Sequence, residues 1–181
     1  MSVEPRAVTF RPLRRADFVL LERWLREPHV FAWWKERLDL AGLEAKYGPR
    51  IDGAEPSHVF VIEYVGSPVG WIQWYRWADY EAHARKLGAT PGEAGVDLAI
   101  GDPEMIGVGL GPIALELFIR QEVFIHSSVT AVVSDPEVLN VRSRRAFEKV
   151  GFESSDPVVL DGETAARVIV RLKRTGTITV P

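Results

Sequence analysis

The chain has 181 residues, 46% hydrophobic and 26% charged, with a formal net charge of −3; this suits one compact domain over 1–181 and excludes a disordered chain. The slight acidity argues against nucleic acid as the main partner and is compatible with a cationic small molecule. No apolar run is long enough to span a bilayer, residues 1–11 lack a signal-peptide core, and there is no cysteine for a disulfide, a thiolate zinc site or a nucleophile, so a cytoplasmic protein with no membrane partner is expected.

Residues 8–13 read as a short strand and 17–26 as an amphipathic helix, with Phe18, Leu21, Trp24 and Leu25 on one face. Pro28 limits that helix, and a weaker one over 40–47 is closed by Gly48 and Pro49. Strands are expected over 59–64 and 69–75, joined through Val65, Gly66, Ser67 and Pro68. The polar stretch 77–93 reads as a long loop, and 95–100 as a strand with Val96, Leu98 and Ile100 opposite Asp97. A glycine-rich segment, 107–111, runs into an apolar helix over 112–123, for which Pro112 suits the first position. A strand over 129–134 precedes a helix that Asn140 caps and Gly151 ends. Strands over 152–160 and 164–172 flank Asp161-Gly162, a two-residue hairpin signal. The core covers about 8–172, and 174–181 reads as a frayed tail.

The four histidines, His29, His58, His83 and His126, fall at no metal-ligand spacing, so no metal is expected. A strand followed by Gly107-Val108-Gly109-Leu110-Gly111 and a helix brings several free backbone N–H groups to one point, a ready anion site. It is neither a Walker A loop nor the dinucleotide fingerprint, and a flexible turn before a core helix would also explain it.

Farther on, Asn140, Ser143, Phe147, Lys149, Gly151 and Phe152 stand in the pattern N-x-x-S-x-x-x-F-x-K-x-G-F. With the glycine loop, this resembles the GNAT acetyltransferases over nearly the whole chain. The resemblance implies an α/β (α+β) fold whose mixed, mostly antiparallel sheet is splayed between its fourth and fifth strands, with acetyl-CoA as co-substrate in the gap. Leu98 and Ile100 would pair with the pantetheine arm, Gly107, Val108, Gly109 and Gly111 would hold the pyrophosphate, and Asn140 would reach the cofactor. Ile106 stands where the family has Arg or Gln, which leaves phosphate binding to backbone amides.

Two further patterns resemble aminoglycoside 6′-N-acetyltransferases of this class: Pro28-His29-Val30-Phe31-Ala32-Trp33-Trp34, and Gly95-Val96-Asp97-Leu98-Ala99-Ile100. A sister group acylating lysine-type amines shares the first but has a histidine where Asp97 stands. Acetyl transfer needs a neutral amine held at the thioester, and the resemblance makes Asp97 the group that orients it and accepts its proton. It also implies a cationic aminosugar partner, with Glu55, Asp79, Asp135 and Asp161 as acidic contacts and Trp33, Trp34 and Tyr75 as flat walls. A solvated loop carboxylate and a core tryptophan would explain these residue types equally. Phe147 occupies the position of a tyrosine that protonates the departing thiolate. Acyl transfer to another amine (a siderophore lysine, a polyamine, a peptide terminus) and a non-catalytic acyl-CoA- or aminoglycoside-binding protein stay open, as does a monomer or a homodimer.

Overall fold

A computed structural model of the chain describes residues 3–174. The elements are β1 (Val8–Pro12), α1 (Phe18–Arg26), α2 (Pro28–Trp34), α3 (Leu40–Ile51), β2 (Ser57–Tyr64), β3 (Ser67–Arg76), α4 (Glu81–Leu87), β4 (Glu93–Ile100), α5 (Leu110–Phe118), β5 (Ala131–Ser134), α6 (Val141–Val150), β6 (Glu153–Ser154), β7 (Val158–Val159), β8 (Ala166–Arg167) and β9 (Val170–Lys173). Seven strands form one sheet in the order β1-β2-β3-β4-β5-β9-β6, and β7 pairs with β8. Within the sheet only β4 and β5 run parallel.

Alternation along the strands separates two cores. Ile72, Trp74 and Val96 pack with Leu110, Leu115 and Phe118 of α5. Val59, Val61, Trp71 and Ala99, on the opposite face, pack with Leu21, Trp24 and Leu25 of α1 and Leu43 and Tyr47 of α3. A smaller cluster gathers Trp77, Leu87, Val133 and Leu160.

The sheet opens where β4 meets β5. Their register covers only Glu93↔Ala131 and Ala94↔Val132. At the next rung a side chain replaces the strand: Ser134 Oγ donates to Val96 O at 2.7 Å and accepts from Val96 N at 3.4 Å. Asp135 and Pro136 follow, and proline has no N–H with which to continue a ladder.

Several expectations need correction. Pro28 ends α1 but also opens α2, where its missing N–H costs nothing. Helix α3 continues through Gly48 and Pro49 to Ile51, because Arg15 clasps Glu44 at 2.8 Å and Asp52 at 2.7 Å and ties down the last turns. The segment 77–93 is a short turn and α4 rather than a loop; Trp77 is buried, donates to Val133 O at 3.1 Å and anchors Ala84 and Leu87 beside it. Helix α5 starts at Leu110, ahead of Pro112, and passes into a π-turn over Ile119–Val123. The two long C-terminal strands are broken into four short ones. Pro157 interrupts the first, and Val159 pairs with Ala166, so residues 160–165 connect them instead of a two-residue turn. Of the expected tail, Arg174 is bound, its N–H donating to Thr130 O at 2.9 Å, and 175–181 lie outside the described residues.

Candidate active site

The splayed strands bound a cleft of about 400 Å³. Its walls include His29, Trp33 and Trp34 of α2, Leu98, Ala99 and Ile100 of β4, the 105–112 segment and one face of α6. Because Val96 turns its main-chain N–H and C=O toward β5, alternation aims those of Leu98 and Ile100 the same way, into the gap. Ile100 O accepts from His29 Nε2 at 3.0 Å, whereas Leu98, paired with Ile72 of β3 on its other edge, has no strand facing it on the β5 side.

The glycine loop lies at one end of this cleft. Gly107 and Gly109 have φ of 77° and 93°, a backbone that disfavours a side chain, although an added Cβ would meet nothing at either. Gly109 is the N-cap of α5, so the first N–H groups of the helix have no partner within it. Gly109, Leu110 and Gly111 line the cleft, as does Ile106; Val108 instead packs against the core. Arg142, Arg145 and Lys149 line it as well, on one face of α6. The cleft thus carries side-chain cations as well as free backbone amides. The spacing of these three cations, three and four residues apart, was the available signal. Asn140 caps α6, its Oδ1 accepting from Ser143 N at 3.1 Å, and both residues border the cleft.

A cavity of about 150 Å³ adjoins it, lined among others by Trp33, Trp34, Asp97, Leu98, Asp135, Glu137, Phe147 and Arg167. Asp97 occupies the sheet face opposite Leu98, between the two apolar clusters on that face. Burial pushes its carboxyl above the ordinary range, while hydrogen bonding from Gln73 and Tyr75 and the charges of Arg50 and Lys46 hold it down. Gln73 Nε2 donates to Asp97 Oδ2 at 2.9 Å. Asp135, in the opposite wall, is also pushed up by burial, against the pull of Arg167 and His83. Its Oδ2 lies 3.2 Å from Arg167 Nη1 and 3.4 Å from His83 Nε2. Phe147 is buried edge-on to Phe152, with ring centroids 4.8 Å apart.

Trp33 borders both cavities; Trp34 does too, and also leans on Trp71 at 4.9 Å. Tyr75 is wedged edge-on against Trp77 and Tyr80 rather than laid open as a flat wall. It lies over Gly95, where a Cβ would come within 2.4 Å of its ring. Glu55, Asp79 and Asp161 are exposed and border neither cavity. Glu55 instead pairs with Arg50 at 3.2 Å, and only the backbone carbonyl of Asp161 is engaged, by Lys86 Nζ at 2.6 Å. Gln73, Arg50 and Arg167 escaped sequence reasoning, because nothing local marks a strand glutamine, a helix arginine or a hairpin arginine as a neighbour of Asp97 or its cavity.

The chain was compared with known proteins. It is 28% identical over 176 residues to aminoglycoside N(6′)-acetyltransferase type 1 of Klebsiella pneumoniae, covering 91% of this chain and 84% of that protein. It is 25% identical over 145 residues to the lysine N-acyltransferase MbtK of Mycolicibacterium paratuberculosis, covering 78% and 63%. The crystal structure of aminoglycoside acetyltransferase AAC(6′)-Ib with coenzyme A and kanamycin superposes with a TM-score of 0.77 at 27% identity, over 92% of this chain and 95% of that one. With its splayed sheet, its glycine loop at a helix N-terminus and a match to the acetyltransferase (GNAT) domain over residues 14–160, the chain belongs to the GNAT acetyltransferase family.

Proposed function

We propose that this protein, in the cytoplasm, transfers an acetyl group from acetyl-CoA to an amine of an aminoglycoside, the 6′-amine, within a ternary complex. The observation that carries the reading is a half-buried carboxylate, Asp97, one residue from the open main chain of Leu98 and beside the cleft that ends at the glycine loop.

Acetyl-CoA supplies the acetyl group as a thioester. The N–H groups at the start of α5 take up a pyrophosphate, and Arg142, Arg145 and Lys149 add positive charge along the same wall. The main chain of Leu98 pairs with the pantetheine arm in the manner of an added strand, and its N–H meets the oxyanion as the new C–N bond forms. Asp97 receives the incoming ammonium, orients it and takes its proton directly or through water. A carboxyl raised by burial is a better base than a solvated one. As the C–S bond breaks, the acylated nitrogen sheds its second proton to solvent and, because Phe147 has no proton to give, solvent protonates the sulfur.

A second reading has one observation in its favour. Arg167 borders the acceptor cavity and neutralises Asp135, which suits an amine whose carrier also bears a carboxylate, such as a lysine. Thiol release from acetyl-CoA, measured against kanamycin, tobramycin, N-hydroxylysine and spermidine, separates the readings. Kanamycin and tobramycin are expected to drive release; turnover of N-hydroxylysine alone sinks the aminoglycoside assignment, and no release with any acceptor sinks the enzyme.

A further inference from the structure

A polar chain runs from the surface to Asp97. Glu55 Oε2 accepts from Arg50 Nε at 3.2 Å, Gln73 Oε1 accepts from Arg50 Nη1 at 3.1 Å, and Gln73 Nε2 donates to Asp97 Oδ2 at 2.9 Å. Gln73 is 7% exposed, in the strand register facing Asp97. We propose that Arg50, acting through Gln73, is a positioning residue that sets the orientation and keeps the negative charge of Asp97. The proposal rests on Asp97 being the acceptor carboxylate of the reaction above.

A guanidinium only donates and a carboxylate only accepts, so an amide lodged between them has one satisfactory orientation, carbonyl toward Arg50 and NH₂ toward Asp97. Without the guanidinium, the amide is free to rotate and turn its carbonyl to the carboxylate, two acceptors facing each other in a buried site. Arg50 is itself constrained, its guanidinium 5.3 Å over the Tyr47 ring and its charge countered by Glu55. Tying down Oδ2 leaves the remaining lone pairs of Asp97 for an amine. Glu55 thereby becomes the outer end of this chain instead of a sugar contact.

The groups acting on Asp97 come from several elements. They are Gln73 and Tyr75 of β3, Lys46, Tyr47 and Arg50 of α3, and Asp135 beyond β5. Lys46 is already held by Glu36 at 2.6 Å, which leaves Arg50 as the cation coupled to Asp97 through a hydrogen-bonded intermediary.

The test uses the full chain, wild type and the variants Gln73→Met, Arg50→Met and Arg50→Lys. The titration midpoint of Asp97 is read by carboxyl ¹³C NMR, its signal assigned by loss in Asp97→Asn. Release of CoA with kanamycin is followed in parallel from pH 5.5 to 9. Gln73→Met is expected to raise the midpoint by about one pH unit, the size of one charge-assisted hydrogen bond. Arg50→Met should give a smaller rise and Arg50→Lys less again. The acid limb of kcat/KM should move upward in the same order, with about a tenfold loss below it. Arg50→Met alters a half-buried side chain at the end of α3, so it keeps the test alive if Gln73→Met does not fold. An unmoved midpoint in folded Arg50→Met overturns the proposal. If wild type fails to acetylate kanamycin, the acceptor reading fails on its own, and the NMR midpoint still decides the role of Arg50.

Discussion

Gly109→Ala separates what the glycine loop does for folding from what it does for the cofactor. Gly109 sits at φ 93°, and an added Cβ there meets nothing within 4 Å, so the cost of alanine is backbone strain alone. That strain is about 1–2 kcal/mol, or a fall in Tm of about 2–8 °C for a chain of this length. If the backbone instead rotates to relieve it, the N–H groups of Leu110 and Gly111 turn away from the cleft. Each charge-assisted hydrogen bond lost to a phosphate is then worth about 1.5 kcal/mol or more, roughly tenfold in Kd. Gly162→Ala is the matched control, because Gly162 has φ 80° but lies outside the cleft. Calorimetry with CoA and thermal unfolding are measured on both variants. Both should lose Tm, and only Gly109→Ala should bind CoA about tenfold or more weakly. Equal CoA affinity in the two variants would refute the loop as the phosphate cradle.

The cations of α6 are exposed, so Arg142→Ala, Arg145→Ala and Lys149→Ala should each change stability by less than about 0.5 kcal/mol. Together they should weaken CoA binding and flatten its dependence on salt; a triple variant with the wild-type salt dependence removes them from the site. For Asp97→Asn, the raised carboxyl sets the sign. The folded state holds that proton more tightly than the unfolded chain, so stability is lost as pH rises through the folded-state value. Asp97→Asn should therefore melt higher than wild type at pH 8, with the gap closing toward pH 4, while acetyl transfer falls about 10²- to 10⁴-fold. A lower Tm at pH 8 contradicts the buried-charge account.

The glycine loop, the Asn140 cap and the placement of Asp97 opposite Leu98 were legible because each is a short-range pattern: a positive-φ requirement, an N-cap offset, a two-residue alternation. The segment 77–93 was misread because its composition is polar, and the bond of Trp77 to Val133 that anchors it spans distant strands. Helix α3 outlasted Gly48 and Pro49 because Arg15, well upstream, holds both sides of the break. The expected acidic pocket fared similarly. Residue type could not reveal that Asp135 is countered by Arg167, Glu55 by Arg50, and that Asp161 borders neither cavity.

By itself the amino-acid order determined the succession of elements around the loop and its helix, and hence the family, since those signals act over one or two turns of chain. Tertiary structure alone decided which charges are free. Pairing between Asp97, Gln73 and Arg50 depends on strand register and helix packing, and in a partly desolvated site the partner of a carboxylate matters as much as its presence.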